Sequence, residues 1–211
     1  MNCQQMRRDY SDSRLLLGEM PSDPIVLFIQ WYQEAVLVGN NEPNAMVLST
    51  IDESDMPDSR VVLLKEIDDV GFVFFTNYES AKAHQIKHNP HVALNFYWQE
   101  SVHQVRIRGQ AHPISSARSA AYFATRSRES QCAVYASKQS MSLSERELDQ
   151  RMQEVKEHFG NDSISCPPFW GGYCVEPMTM EFFHGRQARL HDRIRYRRTE
   201  QGAWLIERLA P

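Results

Sequence analysis

The side chains in this sequence that could do chemistry are cations and hydroxyls, and they are scattered. Arg60, Lys65 and Lys82 come from the first half, Tyr122, Arg126 and Ser130 from the middle, Gln139 and Ser140 just after, and Arg189, His191 and Arg193 from the tail. Dispersed donors of this kind suit a phosphorylated ligand held by charge-assisted hydrogen bonds. Tyr122 and Arg126 are four apart, hence on one face of a helix, with Ser130 four further on; the trio also reads as a surface pair plus a cap. Arg189 and His191, two apart, share a face on an extended segment. Nucleophilic catalysis lacks support, because G-x-S-x-G is absent, as are G-x-x-x-x-G-K-[ST] and G-x-G-x-x-G. His84 and His88 have the i,i+4 spacing of a metal pair, but no carboxylate or third ligand accompanies them, so no metal is expected.

The totals describe an ordinary globular protein: 211 residues, 42% hydrophobic, 24% charged, net charge −4. That balance argues against general nucleic-acid binding. The six arginines Arg186, Arg189, Arg193, Arg195, Arg197 and Arg198 instead suggest a local anion site. Cys3, Cys132, Cys166 and Cys174 show no C-x-x-C spacing, and neither a signal-peptide core nor a membrane-length apolar run is present. Reduced thiols in a cytoplasmic protein are the expectation.

The elements that must position these donors are mostly strands. Arg60-Val-Val-Leu-Leu-Lys65 and Gly71-Phe-Val-Phe-Phe-Thr76 read as a hairpin. The first run is apolar on both faces, which predicts burial on both, as in a barrel wall that also packs on a second subunit; a buried hairpin with solvated charges at its ends is the alternative. Asp23 and Pro24 start a helix running to about Val38 with Leu27, Phe28, Trp31, Ala35 and Val38 on its core face. A strand over 45–50, a helix over 80–88 and strands over 91–98 and 104–110 follow, giving an antiparallel meander that closes into a barrel. Helical periodicity then covers 117–125 and a more polar stretch to 140. Ser144-Glu-Arg-Glu147 is a capping box for a helix that buries Leu148, Met152, Val155 and Phe159. The rigid turn 167–172 leads into a strand over 173–183, and 193–198 with 203–209 form a last hairpin. Residues 1–20 read as a mobile arm and 21–211 as one domain.

In order along the chain, Arg60-Val-Val-Leu-Leu-Lys65, Phe75-Thr-Asn77, Lys82-Ala-His-Gln, Ser137-Lys-Gln-Ser140, Phe169-Trp-Gly-Gly172, Arg189-Leu-His-Asp-Arg193 and Arg208-Leu-Ala-Pro211 resemble the pyridoxine/pyridoxamine 5′-phosphate oxidase family. The resemblance implies an α+β, mainly β fold, an antiparallel split β-barrel with surrounding helices. It also implies a homodimer with two FMN sites at the subunit interface. FMN would be lined by Arg60, Val61, Val62, Leu63, Leu64, Lys65, Phe75, Thr76, Lys82, Gln104, Gln139, Ser140, Phe183 and Arg193. Lys65, Tyr122, Arg126 and Ser130 would take the substrate phosphate. Arg189, Leu190 and His191 would face the pyridine ring, with Arg189 orienting it and His191 bonding to it, and Arg7, Arg8, Asp9 and Tyr10 would fold over it as a lid.

The activity so implied is oxidation of pyridoxine or pyridoxamine 5′-phosphate by O2 to pyridoxal 5′-phosphate with release of H2O2, by hydride transfer from C4′ to the flavin. Alternatives are a split-barrel flavin oxidase of the phenazine-pathway type and a non-catalytic FMN or pyridoxal phosphate carrier. RNA binding through the tail arginines is the weakest. Ala81 stands where the family usually has a second cation beside Lys82, Phe75 where Tyr is common and Phe183 where Trp is common. Weaker FMN binding is the expectation from these changes.

Overall fold

The computed structural model describes residues 13–211; Arg7, Arg8, Asp9 and Tyr10, and with them the lid expectation, lie outside the described residues. Helix α1 (Pro24–Leu37) starts as its sequence dictates, with the Asp23 carboxylate accepting from the Ile25 N–H at 2.9 Å and proline at the first helical position. It buries Leu27, Phe28, Trp31 and Ala35. Val38 is not on that face as expected: it is the exposed C-cap residue.

Nine strands form one antiparallel sheet: β1 (Ala45–Ile51), β2 (Pro57–Leu63), β3 (Glu66–Ile67), β4 (Phe72–Asn77), β5 (His91–Trp98), β6 (His103–Pro113), β7 (Trp170–His184), β8 (Asp192–Arg198) and β9 (Trp204–Leu209). The order is β2-β1-β5-β6-β7-β4-β3, with β8 on β7 and β9 on β8. β7 is the spine. One of its edges pairs with β6 from Tyr173 to His184, while the other pairs with β4 over Trp170–Val175 and with β8 over Thr179–His184. The two partners diverge at a bulge, where Arg108 and Gly109 on β6 face Thr179 and Pro177 and leave Met178 as the extra residue. There the sheet curls and splits, so the expected split β-barrel is present. The expected simple meander is not, because β1 pairs with β5 and β4 is inserted beside β7.

The hairpin expected from 60–65 and 71–76 is also corrected. β2 pairs with β1 through a turn organised by Asp52, whose carboxylate accepts from the Ser54 and Met56 N–H groups, while β4 is taken by β7 and the two-residue β3. β2 is therefore an edge strand, and within the single chain Val61 is 65% exposed, on a face that the expected second subunit would cover.

Inside the barrel Phe28 makes edge contacts with Phe72 and Phe96, both with centroids 4.9 Å apart, at the heart of the main core. A second, smaller core of Phe123, Cys132, Val134, Ile164 and Trp170 lies under the helices α3 (Ser116–Ala124), α4 (Arg128–Ala136) and α5 (Glu145–Phe159). The Ser144 hydroxyl caps α5 by accepting from the Glu147 N–H. The stripe expected to be buried is only half-covered, and Leu148 is exposed: α5 packs mainly on α4 and otherwise meets solvent. Helix α2 (Ala81–His88) carries exposed His84 and His88, and no group of metal-binding side chains occurs among the described residues. Among those residues, too, no helix is long and apolar enough to cross a membrane.

A Cβ on Gly109 would sit 2.0 Å from the Glu176 carbonyl oxygen, so β6 and β7 can approach at the bulge only with glycine there. Gly109→Ala should lower stability by roughly 2–4 kcal/mol in urea unfolding, whereas Gly18→Ala, with open space around it, should shift it by less than about 0.5 kcal/mol. Equal effects would contradict the bulge as a structural requirement.

Candidate active site

A cleft of about 390 Å³ opens where the end of β2, β4 and the α3–α4 helices converge. β2 and the residues after it contribute Val61, Val62, Leu63 and Lys65; β4 contributes Phe75, Thr76 and Asn77; Lys82 enters from the first turn of α2. The helices and the loop after them bring Tyr122, Arg126, Ala133, Val134, Ser137 and Gln139, and β7 brings Trp170. Three cations line it, Lys65, Lys82 and Arg126, and no carboxylate does so among the described residues.

Lys82 is 8% exposed, and its ammonium donates to neutral oxygens: Thr76 Oγ1 and Ser80 Oγ at 3.2 Å and Gln139 Oε1 at 3.0 Å. Burial, followed by the Arg60 charge, pushes its pKa down to about 8 against the opposing pull of Asp58. Gln139 also accepts from Thr76 at 3.2 Å. The next residue, Ser140, adopts a left-handed φ of 74° and accepts from the Ala81 N–H, tying the loop to the start of α2. Such a conformation is unfavourable for a residue with a Cβ and persists only where its surroundings fix it.

The opposite wall is aromatic. Phe75 stacks on Tyr122 with centroids 3.9 Å apart and on Trp170 at 5.4 Å, and the Arg126 guanidinium lies over Trp170 at 5.1 Å. Arg126 donates to the Ser130 carbonyl at 3.2 Å, and its buried Nε has no partner among the described residues. The single helical face expected for Tyr122, Arg126 and Ser130 is not formed: α3 ends at Ala124, Arg126 sits in the connection, and Ser130 is in the first turn of α4 with its hydroxyl on Ser127. The connection nevertheless brings Arg126 and Tyr122 to one cleft. Trp170 had been legible only as part of a rigid turn, although its place in Phe169-Trp-Gly-Gly172 was the available signal.

The remaining expected residues divide. Leu64 is buried in the main core. Arg60 does not line the cleft; its guanidinium is held by Asp58, Gln85, Thr50 and the Leu48 carbonyl. Gln104, Phe183 and Arg193 form a second cluster, directly opposite one another in a row across β6, β7 and β8. Arg193 pairs with Glu181 at 2.8 Å and donates to the Ala210 carbonyl at 2.9 Å.

The His191 ring packs on Phe183 at 4.8 Å between centroids, beside this row. Its Nδ1 accepts from the Arg186 N–H at 3.0 Å, which requires a neutral ring with the proton on Nε2. Burial, and then the Arg189 charge, holds its pKa below the usual histidine range. Arg189 and the flanking Leu190 are exposed. The segment is a short 3-10 turn with left-handed φ at Ala188 (52°) and Arg189 (60°), not an extended segment, so the shared-face argument from spacing does not apply.

Behind it, Asp192 is 2% exposed and binds Arg186, Arg208 and the Leu15 N–H; burial raises its pKa, but these partners outweigh it and the net shift is downward. Arg208 also donates to the Leu15 carbonyl and Ser13 bonds to His184, so residues 13–15 are fastened beside His191.

The family models matched by the chain are those described as pyridoxamine 5′-phosphate oxidase, over residues 33–159, and pyridoxine 5′-phosphate oxidase C-terminal dimerisation region, over residues 170–211. A pyridoxine/pyridoxamine 5′-phosphate oxidase of Shewanella amazonensis is 45% identical over 207 residues, covering 98% of this chain and 97% of that one. One of Bordetella petrii is 42% identical over the full length of both. Among solved structures, PhzG from Burkholderia lata 383, in complex with tetrahydrophenazine-1-carboxylic acid, is similar with a TM-score of 0.88 at 31% identity, over 95% of this chain and all of that one. A pyridoxamine 5′-phosphate oxidase-related, FMN-binding protein of Nostoc punctiforme matches with a TM-score of 0.74 at 20% identity, over 91% of this chain and all of that one, a likeness of fold. With both family models matched in order and full-length relatives at this identity, the chain belongs to the pyridoxine/pyridoxamine 5′-phosphate oxidase family and is an oxidoreductase.

Proposed function

We propose that this chain oxidises pyridoxine and pyridoxamine 5′-phosphate to pyridoxal 5′-phosphate with O2 as acceptor, releasing H2O2, as a homodimer that holds FMN in two sites between the subunits. The observation that carries the reading is the cleft with three cations, no carboxylate among its described lining residues and a stacked aromatic wall. The residues fit a flavin phosphate and a substrate phosphate: among the described residues Lys82 has no carboxylate partner, and Arg126 Nε is buried and unpartnered. FMN would supply the hydride acceptor and the reaction with O2.

In this reading Lys82, Thr76, Gln139 and Ser140 hold the FMN phosphate, with Val61, Val62, Leu63, Leu64 and Phe75 along the flavin and Arg60 close by. Lys65, Tyr122, Arg126 and Ser130 take the substrate phosphate. Gln104, Phe183 and Arg193 complete the FMN site from the partner subunit, and Arg189, Leu190 and His191 approach the substrate ring from there. This division is supported by the location of Phe183, Arg189, His191 and Arg193 inside the segment matching the dimerisation region, and by their separation from the cleft within one chain. His191 offers an Nε2 proton, so its role is hydrogen-bond donor to the substrate; acting as base there would require release of the Arg186 bond. Arg189 orients the ring and steadies developing charge. Residues 7–10 would close over the ring and exclude water.

The primary test is aerobic incubation of the FMN-loaded protein with each B6 phosphate, reading aldehyde and peroxide. Both products in equal amounts are expected; a yellow protein inert to both substrates contradicts the assignment. Arg126→Ala should raise KM for pyridoxine 5′-phosphate by about tenfold or more with a smaller change in kcat, through loss of a charge-assisted contact. An unchanged KM would remove Arg126 from the phosphate site.

Lys82 also gives the binding a pH signature. Its ionised form attracts phosphate, so FMN affinity should fall as pH rises through about 8. Because the folded pKa is depressed, apo stability should move the other way, rising between about 8 and the ordinary lysine value as the buried charge is lost. Titrating FMN and measuring urea unfolding of the apo protein across this range, in the wild type and in Lys82→Met, checks both signs; wild-type profiles as flat as the variant's would refute them.

A further inference from the structure

We propose that Asp58 is an internal counter-ion that competes with phosphate for Arg60 and thereby weakens the grip of the cleft on the phosphate end of its cofactor. The inference deepens the FMN reading above and rests on it. Asp58 and Arg60 are two apart on β2 and so share a face, and the carboxylate Oδ2 lies 2.5 Å from Arg60 Nη2. The same Nη2 donates to Gln85 Oε1 at 3.0 Å, and Nη1 donates to Thr50 Oγ1 at 2.5 Å and the Leu48 carbonyl at 3.3 Å. Gln85 Nε2 closes the ring by donating to Asp58 Oδ2 at 3.1 Å. Both terminal nitrogens of the guanidinium are thus committed to protein acceptors.

This ring stands next to the phosphate end of the cleft. Gln85 is three residues after Lys82 on α2, hence on the neighbouring face of the same helix. The Lys82 ammonium feels both charges of the pair, Arg60 lowering its proton affinity and Asp58 raising it, after the larger effect of burial. The first turn of α2 supplies Lys82 as its cation, with Ala81 beside it. Arg60 is therefore a nearby second cation for an anion held by Lys82, and an incoming phosphate must either draw it away from Asp58 or bind beside an already neutralised pair. Exposure decides that the competition is a real one: the Arg60 side chain is 18% exposed and Asp58 48%, so the carboxylate can be solvated when Arg60 leaves it.

The test is a binding titration of FMN and, separately, of riboflavin, which lacks the phosphate, on wild type, Asp58→Asn and Asp58→Ser, each alone and combined with Arg60→Gln. Asp58→Asn should tighten FMN by about five- to tenfold at low salt and less at high salt. Riboflavin should be unaffected, and the gain should vanish in the Arg60→Gln background. Asp58→Ser guards against a folding defect in one variant. An unchanged or weaker FMN affinity in correctly folded variants overturns the proposal, as does an equal gain for riboflavin. A gain that persists without Arg60 overturns it as well, because it would reflect direct repulsion by Asp58 rather than competition. Wild type that binds no FMN sinks the cofactor reading itself and this inference with it, an outcome distinct from FMN bound equally by wild type and variants.

Discussion

One strand has two edges, and β7 uses one of them twice. β4 occupies its first half and β8 its second, while β6 runs along the opposite edge from Tyr173 to His184. β4 and β8 can diverge because the ladder is broken between them by the Gly109/Met178 bulge, beside a proline that has no N–H to donate. The split of the barrel is a consequence of this register shift. So is the placement of functional groups: Trp170 at the start of β7 belongs to the cleft beside β4, and Phe183 near its end belongs to the row with Gln104 and Arg193.

The two clusters contrast in charge balance. Among the described residues, the cleft holds Lys82 on neutral oxygens and leaves Arg126 Nε without a partner, which costs stability in the isolated chain and becomes favourable when an anion arrives. In the row Arg193 is paired with Glu181, and behind it Arg186 and Arg208 share the single carboxylate of Asp192. Left-handed backbone occurs in both clusters, at Ser140 beside Lys82 and at Ala188 and Arg189 beside His191. Glu42, Asp55 and Val102 take the same conformation in turns outside the two clusters, so this conformational cost is not confined to them.

Much of this was legible in the sequence. Asp23 with Pro24 fixed the start of α1, alternation marked β6, and the ordered motifs led to the family and its split barrel. What spacing could not supply was the choice of strand partner. The run 60–65 looked like one half of a hairpin with 71–76, yet β2 pairs with the local β1, and β4 was taken by a strand nearly a hundred residues away. The i,i+4 spacing of Tyr122, Arg126 and Ser130 was equally deceptive, since Ser127 caps a new helix between them. The commitment of Arg60 to Asp58 and Gln85 depends on side-chain direction across β2 and α2 and leaves no trace in sequence order. Pairings over long separations are decided by the whole sheet, not by local propensity.

In the function proposed above, each FMN site is assembled from the cleft of one subunit and the row of the other. Intersubunit complementation tests it most directly: Lys82→Ala and Arg193→Glu, each inactive alone, are unfolded together, refolded as a mixture and assayed for tightly bound FMN and oxidase turnover. If the sites are shared, hybrid dimers carry one intact site made from the two unaltered halves, and random pairing restores about a quarter of the wild-type sites. If each site is built within one chain, every site in the mixture keeps a defect and nothing is restored, which would contradict the account.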